Sequence, residues 1–239
     1  MYRRTLFQTL PVAGLGLLLA FVLNAWIPAS AASAATQLPA PRVDATPAAT
    51  PGYQTAVLAG GCFWGVESVF EHVKGVRKVV AGYAGGSART AHYDDVSDGD
   101  TGHAESVQIQ FDPRQISYGK LLQVFFSVAL DPTELNRQGP DSGTQYRSVI
   151  FYGNPQQKQI ATAYIAQLTA ARSFPRPIVT QVVPLQPFYP AEAYHQNYAH
   201  LHPDNPYIVY NDAPKVANLK QLFPGLYQPE QELVQVQLH

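Results

Sequence analysis

The 239-residue chain has one cysteine, Cys62, so no disulfide can form within it, and a structural metal site built on several thiolates is excluded. Charge is sparse and balanced, with 14% charged residues and a formal net charge of -1. The sequence contains no clustered basic stripe of the kind a nucleic-acid surface needs. One long uncharged apolar run is present, Leu6 to Ile27, and it lies near the N-terminus. His195, His200 and His202 match no common metal-ligand spacing, so neither a metal nor any other cofactor is expected.

The apolar run follows Arg3 and Arg4 and precedes the small-residue sites Ala29-Ser30-Ala31 and Ala32-Ser33-Ala34. This is the layout of an export signal, so residues 1–34 are expected to be a signal peptide or, uncleaved, a signal anchor. The expected location is periplasmic or extracellular, with membrane contact only through that segment if it is retained. Residues 35–52 carry Pro39, Pro41, Pro47 and Pro51 among alanines and threonines, which predicts an extended spacer. One folded domain over 53–227 and a short tail over 228–239 follow from the remaining length.

Within that domain, Gln54 to Ala59 reads as a buried strand closed by Gly60-Gly61. From Cys62 the period becomes helical, with Phe63, Val66, Phe70 and Val73 on one face and Gly75 as the stop. Val76 to Tyr83 and Ala104 to Phe111 read as strands on either side of a polar loop. Ser117 is a suitable N-cap for a helix reaching about Val128. A long irregular loop, Asp131 to Arg147, leads to a strand at Ser148 to Tyr152. A helix from Pro155 to Ser173, a strand at Ile178 to Val183 and a short helix at Ala191 to His200 complete the pattern. The order β-α-β-β-α-β predicts an α+β two-layer sandwich with a ferredoxin-like core and additional C-terminal elements.

A lone cysteine in an exported protein is either a small buried hydrophobe or a reactive thiol. Its placement favours the second reading. Cys62 follows two glycines and opens a predicted helix, where free N–H groups and the helix dipole stabilise a thiolate. Glycines at 60 and 61 would let backbone or substrate approach the sulfur. Trp64 departs from the buried face that Phe63 continues, and reads equally well as a pocket wall or as core. Glu105 shares a strand face with Val107, Ile109 and Phe111. A carboxyl on an apolar face is desolvated, so its pKa rises and it suits a general acid, unless it reaches solvent past the last core layer. Asp141, Tyr146 and Arg147 crowd one long loop, and Tyr93 sits in another.

These residues reach a family. Gly60-Gly61-Cys62-Phe63-Trp64-Gly65-Val66-Glu67 resembles the nucleophile motif of type-A peptide methionine sulfoxide reductases. Gly82-Tyr83-Ala84-Gly85-Gly86, Thr101-Gly102-His103-Ala104-Glu105 and Asn136-Arg137-Gln138-Gly139 resemble further signatures, in the family's order. So do Gly143-Thr144-Gln145-Tyr146-Arg147-Ser148 and Tyr194-His195-Gln196-Asn197-Tyr198, and the likeness spans about Tyr53 to Tyr227. The resemblance implies that Cys62 attacks the sulfur of a methionine S-sulfoxide, free or in an oxidised protein. Glu105 would protonate the departing oxygen, with hydrogen bonds from Tyr93 and Tyr146. Phe63 and Trp64 would hold the methyl group, and Asp141 would orient the site. Leu130 and Pro140 stand where the family often has His and Asn, and many members carry a C-terminal resolving cysteine that Pro206 to Asp212 lacks. Recycling would then need an external thiol, whether thioredoxin-like, glutaredoxin-like or small, acting on a monomer. Rival readings are a single-cysteine peroxidase, which would need a cation beside the thiol, and an acylated lipoprotein, for which Cys62 lies too far from the apolar run.

Overall fold

The computed structural model of the chain describes residues 35–46 and 50–229. The expected signal segment and most of the expected tail lie outside the described residues.

The chain enters the sheet at β1 (Gln54–Ala59) and turns at Gly60-Gly61 into α1 (Phe63–Glu71). β2 (Val76–Ala84), a short α2 (Tyr93–Ser97) and β3 (Ala104–Phe111) follow. α3 (Tyr118–Val124) starts where Ser117 Oγ accepts the Lys120 N–H, as the cap signal predicts, and runs into a π-helical turn at Phe125–Ala129. The predicted loop 131–147 contains a small hairpin, β4 (Arg137–Gln138) and β5 (Asp141–Ser142), and a 3-10 turn at Thr144–Tyr146. β6 (Val149–Tyr152) precedes α4 (Pro155–Ala170), which is capped by Asn154 with proline in its first turn. β7 (Gln181–Pro184) and β8 (Tyr189–Pro190) complete the main sheet. The predicted helix 191–200 is broken into a 3-10 turn at Ala193–His195 and α5 (Tyr198–Leu201), because Asn197 between them is left-handed, at φ 54°. α6 (Ala213–Leu222) closes the described chain and has no counterpart in the sequence-based pattern.

Six strands pair in the order β7-β6-β1-β3-β2-β8, antiparallel except for β6 and β7. The inner four, β6-β1-β3-β2, have the strand order of the expected ferredoxin-like core. One sheet face presents Ala56, Leu58, Val107, Ile109, Phe111 and Ile150 to the apolar faces of α1, α3 and α4. The other is thinner and is covered by Val183, Leu185 and Phe188 over Val57, Ala104 and Phe151.

The spacer expectation requires correction. Residues 35–46 form no helix or strand, yet they are packed as an arm on α3 and α4. Leu38 is 7% exposed; its N–H donates to Ser127 Oγ and its carbonyl accepts from Gln123 Nε2. Tyr164 Oη donates to the Pro39 carbonyl, and Gln167 holds both Ala40 and Arg42. Asp44 accepts from Ser117 Oγ and from the Gly119 N–H. Composition signals extended backbone there, but one buried leucine and the amide and hydroxyl groups facing it determine where that backbone lies. The folded unit therefore includes residues ahead of Tyr53.

Candidate active site

Cys62 is the N-cap residue of α1, where the helix leaves β1. Gly61 is in a positive-φ conformation, at 92°, which glycine adopts without strain. A side chain there would strike Gln138 at 2.5 Å, and one at Gly60 would strike the Phe125 ring at 2.9 Å. The two glycines thus make room for the protein's own β4 and π-helical turn rather than for a ligand.

The sulfur is buried, and this overturns the simple expectation of a ready thiolate. Burial pushes the Cys62 pKa well above the ordinary thiol value, and the nearby Glu105 and Asp212 carboxylates add to the rise. The Trp64 N–H at the helix start and Lys215 oppose it without winning. The helix terminus is where the sequence places it, but desolvation outweighs it.

Glu105 lies on β3, on the face expected from alternation, and is only 4% exposed, so it does not reach bulk solvent. Its Oε2 accepts the backbone N–H of Phe63 at 3.0 Å, which fixes the carboxyl beside the residue that follows the thiol. Burial raises its pKa to about 8, although the Phe63 N–H pulls the other way. The carboxyl is therefore mostly protonated at neutral pH, as a general acid must be.

Tyr93 opens α2 and Tyr146 ends the 3-10 turn after β5. Both phenols are pushed up, by burial first and then by Glu105, and both also feel Cys62 and Asp141, so they face the same chamber. Asp141, on β5, accepts from Tyr207 Oη. The turn that carries Tyr146 is stapled in place. Arg147 donates to the carbonyls of Gly102, His103 and Thr144, and Gln145 Nε2 donates to the Ser97 carbonyl. Those bonds tie the Tyr146 turn to the end of α2 and to the approach to Glu105.

Phe63 is 1% exposed, and its ring lies between Tyr83 and His195, with centroids at 5.9 and 5.1 Å. Trp64 is half-buried and stacks face to face on Tyr198, at 3.7 Å and 8°. Tyr207 meets the same indole edge-on, and Trp64 Nε1 donates to His195 Nδ1 at 3.2 Å. Trp64 thus joins an aromatic cluster with Tyr198, Tyr207 and His195 while also packing against the core.

The sequence-based reading placed a helix and a family signature in the C-terminal arm but missed the anchoring roles of its side chains. Glu192 accepts the Tyr93 N–H with Oε1 and the Tyr83 hydroxyl with Oε2. His195 is 2% exposed and is held below the ordinary histidine pKa by burial, so it is a neutral packing and acceptor group. Gln196 exchanges hydrogen bonds with the Ala81 N–H and carbonyl, and Glu67 Oε2 accepts the Asn197 N–H. The sequence-based helix over 191–200 and the similarity of Tyr194 to Tyr198 pointed to this region, but not to the contacts of Glu192 with Tyr83 and Tyr93, which join residues about 100 positions apart. Among the described residues no group of three His, Cys, Asp or Glu side chains is arranged to hold a metal.

A family model described as peptide methionine sulfoxide reductase matches residues 54–225. A peptide methionine sulfoxide reductase of Mesorhizobium japonicum is 62% identical over 186 residues, 78% of this chain and 95% of that relative. One from Synechocystis is 50% identical over 188 residues, 78% of this chain and 88% of the relative. Among solved structures, methionine sulfoxide reductase A of Corynebacterium diphtheriae is 36% identical, with a TM-score of 0.56 over 66% of this chain and 78% of its own. Reduced Mxr1 from Saccharomyces cerevisiae is 32% identical, with a TM-score of 0.57 over 64% of this chain and 87% of its own.

Proposed function

The chain belongs to the peptide methionine sulfoxide reductase family, type A, and from that membership we propose that it reduces the S epimer of methionine sulfoxide, free and in oxidised proteins, through Cys62 and Glu105. The observation that carries this mechanism is a buried, largely protonated carboxyl tied to the backbone next to the chain's one thiol.

In the reaction Cys62 gives up its proton and its sulfur forms a bond to the sulfoxide sulfur. Glu105 protonates the sulfoxide oxygen and is reprotonated by the proton from the thiol. As that oxygen passes to Cys62, the substrate's S–O bond and the transient S–S bond both break and the thioether leaves. The balance is thiol plus sulfoxide giving sulfenic acid plus thioether, a two-electron reduction of the substrate and an equal oxidation of Cys62. Tyr93 and Tyr146 donate hydrogen bonds to that oxygen, and their raised pKa values keep their protons available. Phe63 and Trp64 receive the methyl group against the Tyr198 stack, and Asp141 orients Tyr207 beside them.

With one cysteine in the chain the sulfenic acid cannot collapse to an internal disulfide. An external thiol, thioredoxin-like, glutaredoxin-like or small, therefore attacks Cys62 and is itself the partner in a mixed disulfide. The enzyme works outside the cytoplasm, a reading supported by Arg3-Arg4, the uncharged apolar run and the small-residue sites. It works as a monomer, since the buried Cys62 is poorly placed to meet its copy. N-terminal sequencing that finds Met1 in a membrane fraction would replace the cleaved form with an anchored one.

The test is turnover of each sulfoxide epimer and of hydrogen peroxide by purified protein with several thiol donors. S-selective reduction, with a sulfenic-acid trap labelling Cys62 after one equivalent of substrate, is the expected result. Faster turnover of peroxide than of sulfoxide would instead make the protein a thiol peroxidase.

A further inference from the structure

An ion pair sits behind Cys62 that the reaction above does not use. Lys215 Nζ lies 3.1 Å from Asp212 Oδ1, at the start of α6. Asp212 has no exposed surface, and its second oxygen has no hydrogen-bond partner. Burial raises its pKa, and Lys215 is what chiefly opposes that rise.

The pair is lodged against the first turns of α1. A methyl group on Gly65 would stand 2.0 Å from Asp212 Oδ1 and 2.7 Å from Lys215 Nζ. A glycine inside a helix weakens it, because the unfolded chain loses more freedom there than with any other residue. At Gly65 the reason is visible: the two charged side chains occupy the volume that a Cβ would fill. A helix next to the nucleophile has given up a side chain to bring a buried ion pair close.

Charge explains what the pair does there. Glu105 on β3 and Asp212 place two carboxyl groups near the sulfur, together with the phenols of Tyr93, Tyr146 and Tyr207. Every one of these groups disfavours an anion on Cys62 once it is itself ionised. Lys215 is the cation whose field reaches the thiol.

We propose that Lys215, held against α1 by Asp212, is a positioning residue that sets the charge balance at Cys62 and so fixes how readily the thiolate forms. Asp212 tempers the ammonium as well as anchoring it, which keeps the resting thiol protonated and little exposed to oxidants. Substrate binding then meets a sulfur whose proton is held by burial and by the nearby carboxyls, with Lys215 opposing them. This inference rests on Cys62 being the nucleophile, so its test reads the ionisation of the thiol itself rather than turnover.

The experiment is the pH dependence of Cys62 alkylation by iodoacetamide in the full chain, compared across Asp212→Asn, Asp212→Asn/Lys215→Met and Asp212→Asn/Lys215→Arg. Removing the carboxylate while keeping the ammonium should lower the titration midpoint, giving about tenfold more thiolate at a given pH. Adding Lys215→Met should raise the midpoint again, while adding Lys215→Arg should leave it low. A purely structural pair would change unfolding and leave all three midpoints together. Equal midpoints for Asp212→Asn and Asp212→Asn/Lys215→Met would overturn the proposal. If the asparagine variants do not fold, Asp212→Ala takes their place in the same comparison.

Discussion

Two arms pack on the same α+β core through side chains bonding to backbone, and only one of them lines the candidate site. The N-terminal arm, residues 35–46, is held by Gln123, Tyr164 and Gln167 reaching its carbonyls and by one buried leucine. The C-terminal arm from β8 through α6 is held by Glu67, Gln196 and Glu192, again side chains bonding to backbone. The first arm has no hydrogen-bond ladder of its own, so side chains from the core satisfy its polar backbone groups. The second has short helices and a strand, and its own Glu192 and Gln196 reach back to core backbone while Glu67 of α1 holds Asn197. The difference lies in where the anchors lead. Glu192 and His195 run directly to Tyr93, Tyr83 and Trp64, whereas the anchors of the first arm end on α3 and α4. Irregular backbone becomes functional here through the particular residues it touches, not through being irregular.

That contrast can be broken or sharpened by substitution, starting with the centre that the C-terminal arm encloses. Glu105→Gln is expected to lower kcat and kcat/KM together by roughly 10²–10⁴-fold, the range for a lost general acid. The pH profile carries a second signature. At neutral pH Cys62 and Glu105 together hold two protons, while the reactive form holds one, so kcat/KM of the wild type should rise through about 8. This arm should vanish in Glu105→Gln. Stability should move oppositely: the folded-state pKa of about 8 exceeds the ordinary 4.5, so the folded form binds the extra proton and wild-type stability falls as pH rises between those values. The variant should therefore gain Tm relative to wild type as pH rises across that window; a constant Tm difference would contradict the raised pKa.

Next in size is Leu38→Ala in the first arm. It should cost about 2–3 kcal/mol by denaturant unfolding, typical of a buried leucine, with kcat/KM per folded molecule unchanged. A tenfold loss of kcat/KM in a folded variant would erase the distinction between the arms. Glu192→Gln, in the second arm, should do the reverse. It keeps the shape and loses charge-assisted bonds to Tyr93 and Tyr83, so we expect about a tenfold fall in kcat with a Tm change smaller than that of Leu38→Ala. The smallest effect expected is from Asn197→Gly. Relieving a left-handed non-glycine residue should stabilise by up to about 1 kcal/mol, read as a higher midpoint at constant m-value, while kcat/KM stays within twofold.

The central elements were legible because they depend on near neighbours in the chain. The alternation in β3 placed Glu105 on the apolar face, the Gly60-Gly61 break placed Cys62 at a helix start, and Ser117 and Asn154 capped the helices that follow. The arms were not legible in that way. Leu38 is one apolar residue among prolines and alanines, and α6 carries only a weak apolar stripe, with Leu219 as its buried residue. Glu192 looks like a surface acid until Tyr83 and Tyr93, about 100 positions away, are in place, and Asp212 does so until Gly65 of α1 is packed against it.

The sequence by itself determined the family, the core order of strands and helices, and the positions of Cys62 at a helix start and Glu105 on an apolar strand face, because motif and periodicity are local properties. Tertiary structure decided their protonation. The helix terminus alone favours a thiolate at Cys62, yet burial, with the Glu105 and Asp212 carboxyls adding to it, keeps the proton on sulfur. Desolvation depends on everything that surrounds a group, and at Cys62 those surroundings come from β3 and from residues at the start of α6, some 150 positions further along the chain.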